Sequence, residues 1–448
     1  MRFSTINLSK ILQRVRKYSW AFLLEKTLFY LVLFSIPLNL GKHFVVETSY
    51  IYGKLVDYVI PTVYIQDILV FLLVLVTFPK LIKSFIKHIS HWEFAFLILF
   101  FAGTALSVCS SQVPISANVG FSRLFLYSAF GFYVFSQINL LTEMPRLLRI
   151  FTFLLFFQSV LGLAQWFNQG SIFNNYLFLG EQPYSMSTPN IVRTSWKGFS
   201  RVPSYGTFRH PNVLASFLVL NVLFILGMRP KHPFYYCVVF LSIVSLYFTF
   251  SVISLYGLIF GISAFLIPKK NLGSFLFFIF WLGVFATLFL VFAPSLYLPL
   301  NLQNLIISFF ANPSVFRRRN LILVALKIFG ASPLFGVGLN NSLYYVDKFS
   351  VALSLPKFTQ PIHTIYLLLL SEVGIINFFF LATFFLLLFK KLYNSFLSTA
   401  SGKYSRLFLV QLTILLFFGF FDHYLITAQQ LYLFSCLTVG LALQYNLW

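Results

Sequence analysis

The sequence predicts an all-α polytopic membrane protein, one integral membrane domain over residues 1–448 with about twelve transmembrane helices and two long extracytoplasmic loops. Three observations predict it. Of the 448 residues, 59% are hydrophobic and only 9% are charged, where a soluble domain has about a quarter of its residues charged. Sixty-one phenylalanines would swamp a water-facing surface, so the solvent for most of the exterior is lipid. The apolar residues are also gathered into runs that match a hydrocarbon core ~30 Å thick, with short basic clusters between them.

These runs lie at 21–40, 62–78, 92–108, 121–138, 151–168 and 213–227, then at 234–250, 253–267, 272–294, 366–389, 406–425 and 430–446. The stretch 234–267 is too long for one untilted helix, and Ser251, Ser254 and Gly257 supply a turn between two short ones. No small-residue cleavage site follows the first run, which reads as a retained helix rather than a removed signal.

Lys/Arg asymmetry sets the orientation. With the N-terminus inside, the inner segments carry Arg2, Lys10, Arg14, Arg16 and Lys17, then Lys80, Lys83 and Lys87, then Arg146 and Arg149. They continue with Arg229 and Lys231, Lys269 and Lys270, and finally Lys390, Lys391, Lys403 and Arg406. The outer connections near 109–120, 251–253 and 426–429 hold neither Lys nor Arg, and the one at 41–61 holds Lys42 and Lys54. Both termini are expected in the cytoplasm and the loops 169–212 and 295–365 outside. The net charge of +22 is therefore topological. It is no nucleic-acid surface, since tracking phosphates needs a continuous basic face.

Cys109, Cys237 and Cys436 are far apart and form no metal or redox spacing. No repeat of 20–50 residues supports an inverted-repeat transporter.

The two long loops carry the candidate chemistry. The first holds Arg193, Lys197, Arg201, Arg209 and His210; the second holds Arg317, Arg318, Arg319, Lys327, Lys348, Lys357 and His363. Only two carboxylates, Glu181 and Asp347, accompany them, so the outer face offers cations to something anionic. The arginine triple precedes an apolar stretch, Leu321 to Phe329, too short to span and expected to lie in the interface. Arginines there could fork onto a diphosphate, or simply bind headgroups. His210 and Arg209 stand beside Pro211 and Asn212, which suit a helix start, so ligand binding and capping both remain open.

His363 opens a long apolar run and could take a proton near neutral pH, or anchor the helix end by a hydrogen bond. Glu372 lies half a turn out of phase with it, so the two meet only if the helix breaks near Gly374. A bare carboxylate in apolar sequence must be paired, protonated or turned to an interior cavity. Arg123 and Asp67 fall near outer helix ends, where they face a cavity or pair with each other. The chain has no DxD-like pair, HExxH, P-loop or GxSxG, and the outer loops lack the oxygen ligands a catalytic cation needs.

Three segments together resemble the O-antigen ligase and polymerase superfamily of bacterial membrane glycosyltransferases. GTFRHPNVLASFL (206–218) resembles its GTFxHPNxLAxxL helix opening, RRNLILVALKIFGASPLFGVG (318–338) its R(x)6AL…PLxGVG element, and HTIYLLLLSEVGIIN (363–377) its HNxYLxxLxExGxxG run. The resemblance implies a GT-C-like enzyme of the bacterial inner membrane with an extracytoplasmic active site. It would move a glycan from undecaprenyl diphosphate to an acceptor hydroxyl on a glycan, lipid A core or protein, without metal, nucleotide sugar or other cofactor. His363 matches the family's proposed general base and Arg318 its second-loop arginine, with Arg319 one register away. Arg201 or Arg209 would supply the first-loop arginine; Arg123 is a further candidate for the donor diphosphate, with His210 and Glu372 as possible support.

Thr364 and Asn377 stand where the family has Asn and often Gly, Pro203 takes a common arginine position, and Ser251-Val252 replaces its Ser-Arg. The alternative is a lipid-linked oligosaccharide flippase or another transporter, which should carry its charges at mid-membrane rather than in loops.

Overall fold

The computed structural model describes residues 20–109, 111–295, 300–356, 358–398 and 402–446. Arg2, Lys10, Arg14, Arg16, Lys17 and Lys357 lie outside the described residues. Each of the twelve apolar runs contains a helix, although 36–40, 62–64 and 420–425 lie outside one or fall in a strand or turn. The first nine are α1 Trp20–Ser35, α2 Ile65–His88, α3 Trp92–Cys109, α4 Pro114–Gln137, α5 Leu140–Asn168, α6 Pro211–Met228, α7 Phe234–Tyr247, α8 Val252–Leu266 and α9 Leu272–Phe292. Segment 295–365 contributes α10 Leu300–Ala311, α11 Pro313–Ala331 and α12 Ser342–Ala352. The chain ends in α13 Ile365–Ser398, α14 Lys403–Gly419, the single turn α15 Tyr424–Thr427 and α16 Gln429–Asn446. Among the described residues, six helices are long and apolar enough to cross a membrane: α2, α3, α5, α6, α9 with the turn before it, and α13.

Helix α6 is apolar around its whole circumference, the pattern of a helix surrounded by protein. Nearly all its side chains are buried, and it packs on α5, α7, α8 and α14. The expected split of 234–267 occurs at Phe248–Ser251, where Phe250 takes a left-handed φ of 55°. Gly257 does not form that turn. It lies inside α8, where an added Cβ would stand 2.4 Å from the Phe418 ring.

The loop segments are more structured than expected. In 41–64 two short antiparallel ladders pair Gly41–His43 with Thr62–Tyr64 and Tyr50–Ile51 with Lys54–Leu55. In 169–212 a hairpin pairs Thr194–Trp196 with Phe199–Arg201. Its turn is Lys197-Gly198, with φ of 50° and 82°, the conformation that suits the twist of a two-residue hairpin. Glu181 is not a surface charge. Fully buried, it accepts from the Ile172 and Phe173 amides at 2.8 and 2.6 Å and from Gln165 at 2.6 Å, which folds the loop around it.

Two expectations are corrected in the second half. The interfacial helix over 321–329 is longer and deeper. α11 begins at Pro313, carries the arginine triple in its second turn, and buries Leu321, Val324 and Ile328 against α12. The helix expected over 406–425 stops at Gly419, so Asp422 and His423 occupy a turn rather than a span. A carboxylate and an imidazole inside hydrocarbon would carry a desolvation cost that the turn avoids.

Candidate active site

The histidines come together at the end of the bundle that bears both long segments. His210 is the N-cap of α6, and its Nδ1 accepts the Asn212 amide at 3.1 Å. An amide only donates, so the neutral ring carries its proton on Nε2. His363 has the opposite tautomer. Its Nδ1 lies 3.0 Å from the Pro361 carbonyl, which only accepts, so Nδ1 holds the proton and Nε2 keeps a lone pair. One ring therefore presents a donor and the other an acceptor.

The turn after α14 adds two residues that sequence reasoning missed. The His423 ring packs edge-on against His363 with centroids 5.2 Å apart, and Tyr58 packs on His423 at 5.3 Å. Asp422 accepts from the Asn212 side chain at 3.2 Å and from the His423 amide at 2.9 Å, and lies 3.8 Å from His423 Nε2. Both are buried. The signal that could have found them is the pair itself: Asp-His inside a long apolar run must have partners.

The charges of these residues act on one another. Burial lowers the pKa of His363, with Asp422 pulling it back up and Arg318 and Arg317 pushing it down. Burial likewise lowers His210. The His210 side chain is surrounded by protein yet exposed at its edge, as a residue in a cleft wall is. His423 is driven down to about 3 by burial. Burial alone would raise Asp422, but His423, His363, Arg318 and His210 around it hold it below the ordinary carboxylate value.

The candidate arginines separate. The charge of Arg318 acts on His210, His363, Asp422 and His423, with Arg317 also acting on His210 and His363, and the Nε–H of Arg318, like that of Arg319, is buried with no hydrogen-bond partner among the described residues. Arg319 instead lies over the Phe310 ring at 5.9 Å, on α10. Arg317 donates to Gln360 at 3.0 Å and stacks on Phe358 at 5.8 Å, which ties α11 to the segment leading into His363. Arg209 and Arg123 both lie against the Tyr64 ring, at 5.5 and 5.1 Å. Arg123 is also paired with Asp67 at 3.1 Å, and that ion pair borders a large cavity. Arg201 sits in the 194–201 hairpin, whose Trp196 packs on Trp166 and Phe248.

Glu372 does not meet His363, although α13 does break at Gly374 (φ 76°, ψ 175°). The break receives the turn 332–338 backbone to backbone. Val337 and Gly338 donate to the Ser371 and Glu372 carbonyls at 2.9 Å each, and Ile375 donates to the Pro333 carbonyl at 2.8 Å. An added Cβ on Gly336 or Gly374 would stand 2.3 or 2.2 Å from the other segment's backbone, so glycine is required on both sides. The Glu372 carboxylate accepts from the Asn340 amide at 2.8 Å and the Ser342 hydroxyl at 2.7 Å at the start of α12. It staples the loop to the break rather than orienting the histidine.

Below the cluster lies an apolar cavity of about 1140 Å³ among α3, α4, α9, α13, α14 and α16. Tyr58, Pro361 and Thr427, each in contact with a cluster histidine, line it together with Phe94, Phe277 and Phe385.

No match to the chain is found among curated proteins. Residues 237–382, from α7 into α13, match the family model of the O-antigen ligases. The matched stretch contains the arginine triple, the 332–338 turn, His363 and the Gly374 break. Over that stretch the chain is similar to the O-antigen ligases.

Proposed function

We propose that the chain transfers a glycan from a polyprenyl (undecaprenyl) diphosphate to an acceptor hydroxyl at the outer face of the bacterial inner membrane, in the manner of a ligase or polymerase. The observation that carries this reading is the His363 tautomer, with a basic Nε2 beside Arg318 at the mouth of an apolar cavity. The acceptor, a sugar, lipid A core or protein hydroxyl, gives its proton to Nε2 as its oxygen bonds to the anomeric carbon. The bond from that carbon to the phosphate oxygen breaks on the opposite face, and the diphosphate leaves with the electron pair.

Charge develops on that leaving group, and Arg318, with a buried unpaired N–H, is placed to stabilise it without a metal. His210 supplies an N–H at Nε2 for a sugar or phosphate oxygen. The cavity suits the polyprenyl chain, which would bring the diphosphate to the arginines.

The test is reconstitution of purified protein with a polyprenyl-diphosphate glycan and candidate acceptors. Transfer with inversion at the anomeric carbon, retained after exhaustive chelation, is expected. Movement of the lipid-linked glycan across liposomes with no transfer product would replace this reading with a flippase.

A further inference from the structure

The first long segment, 169–212, has an apolar arm that the transfer site does not use. From Gln169 to Gly180 the chain holds no charged residue, and Ile172, Phe173, Leu177 and Phe178 are exposed, Leu177 by 80%. The hairpin further along the same segment is the reverse, with Arg193, Lys197 and Arg201 in it or beside it. The apolar arm is nonetheless folded. The Leu177 amide donates to the Asn175 side chain at 2.9 Å and the Phe178 amide to the Asn175 carbonyl at 3.0 Å. The Phe173 and Phe178 rings pack with centroids 4.3 Å apart.

Both ends of the arm are clamped to the last turns of α5. Asn168 donates to the Ser171 carbonyl at 3.0 Å, and Gln165 donates to the Glu181 carboxylate at 2.6 Å. The Tyr176 hydroxyl accepts from the Gly41 amide at 2.9 Å, and Gly180 lies so close to the Asn39 backbone that an added Cβ would stand 2.6 Å from it. Asn39 in turn accepts from Arg209 at 3.4 Å. The arm therefore has a fixed place beside the end of α5 and is tied to an arginine of the same segment.

What lies there follows from α5 itself. This helix is long and apolar enough to cross a membrane, and its exposed Phe153, Phe156, Val160 and Phe167 share one face at helical spacing. On a membrane-crossing helix such a face meets lipid, and the arm begins directly past Phe167 with the same composition. An uncharged, aromatic-rich loop at the end of a lipid-facing stripe has the chemistry of the headgroup–acyl boundary. A second copy of the chain fits less well: four partly exposed side chains offer roughly 400 Å², about half of the ~800 Å² that each partner of a stable dimer buries.

We propose that residues 172–178 form a lipid anchor, with Ile172, Phe173, Leu177 and Phe178 inserted into the leaflet beside the end of α5, holding the first long segment and Arg209 at a fixed depth. The anchor is independent of glycan transfer, and its test needs no substrate. The experiment uses the full chain in vesicles of phosphatidylethanolamine and phosphatidylglycerol, carrying Cys109→Ala, Cys237→Ala and Cys436→Ala and one nitroxide-labelled cysteine at a time. Leu177→Cys and Phe178→Cys report on the arm. Phe153→Cys in the α5 stripe calibrates lipid, and Lys197→Cys at the exposed hairpin turn calibrates water.

Power-saturation spectra read collisions with oxygen, which concentrates in lipid, and with a water-soluble nickel chelate. The oxygen-to-nickel collision ratio at 177 and 178 is expected to exceed that at 197 several-fold and to approach that at 153 from below, as the boundary depth requires. Ratios at 177 and 178 no higher than at 197 would place the arm in water and overturn the anchor. Dipolar broadening at 177 that disappears on dilution with unlabelled protein would overturn it too, by putting a second copy of the chain against the arm.

Discussion

The two ends of the helix bundle treat buried charge in opposite ways. Away from the histidines, Glu143 accepts from Lys26 at 3.3 Å, Arg146 at 2.7 Å and Tyr30 at 2.8 Å. There Glu25 is paired with Lys80 and accepts from Tyr133 at 3.1 Å, and Glu93 is paired with Lys391 at 2.6 Å. Each of these carboxylates has a lysine from a separate element, and Arg146 adds a cation from Glu143's own helix. At the histidine end, one carboxylate, Asp422, faces three imidazoles and Arg318, while the Arg318 Nε–H has no partner and the His363 Nε2 keeps its lone pair. Charges at the first end are satisfied within the protein, whereas the histidine end leaves donors and acceptors open.

Substitutions at the two ends should therefore separate rate from stability. The largest effect is expected at His363. His363→Ala should lower product formation by about two to four orders of magnitude at matched protein level, and His363→Gln should do no better, because an amide cannot take the proton. Comparable product from the glutamine variant would reduce His363 to an anchor.

Next comes Arg318→Ala, expected to reduce turnover by about 10²–10³, with Arg318→Lys rescuing only part because an ammonium lacks the planar fork. Arg319→Ala, measured in parallel, should change turnover far less, since its guanidinium faces Phe310. Equal losses in the two would erase the distinction drawn between these neighbours.

A smaller effect with a distinctive signature is expected of Asp422→Asn. A general base must be neutral to act, and burial lowers His363, so the ascending limb of the pH–rate profile should lie below the ordinary histidine value. Asp422 favours the charged ring. Its removal should move that limb to still lower pH while the plateau rate falls, by roughly tenfold for a less basic and less firmly held imidazole. A limb that moves to higher pH would mean that Asp422 does not act on His363.

The smallest effect belongs to the opposite end. Lys80→Ala removes a half-exposed partner while Tyr133 still donates to Glu25. Thermal unfolding should report a loss of about 1 kcal/mol or less, with the transfer rate unchanged. A rate loss there would show the two ends to be coupled.

Much of the fold was legible because lipid leaves a chain little choice. A segment crossing hydrocarbon must satisfy its own backbone, so each apolar run supplied a helix, six of them long and apolar enough to cross a membrane among the described residues, and the 251–257 serines and glycine pointed to a real division although Gly257 itself serves packing. The glycines of 332–338 and Gly374 were legible as motif, but not as the reason for it. Only the fold shows that the two backbones touch there. Asn377, the departure from glycine in that motif, is met by Gly103 on α3, where a Cβ would stand 1.7 Å from its side-chain oxygen.

Of the site, the sequence by itself determined that His363 and the arginine triple stand at helix ends beside basic, carboxylate-poor segments. The tertiary structure decided the rest. It turned Arg318 rather than Arg319 toward the histidines, gave Glu372 to α12, and brought Asp422 and His423 from the last turn of the chain onto residues at 210 and 363. The reason is geometric. Periodicity and charge bias report what each segment must face, lipid, water or protein, because that depends on local composition. Which side chains from four distant segments share one cluster depends on how the helices pack, and no local pattern encodes it.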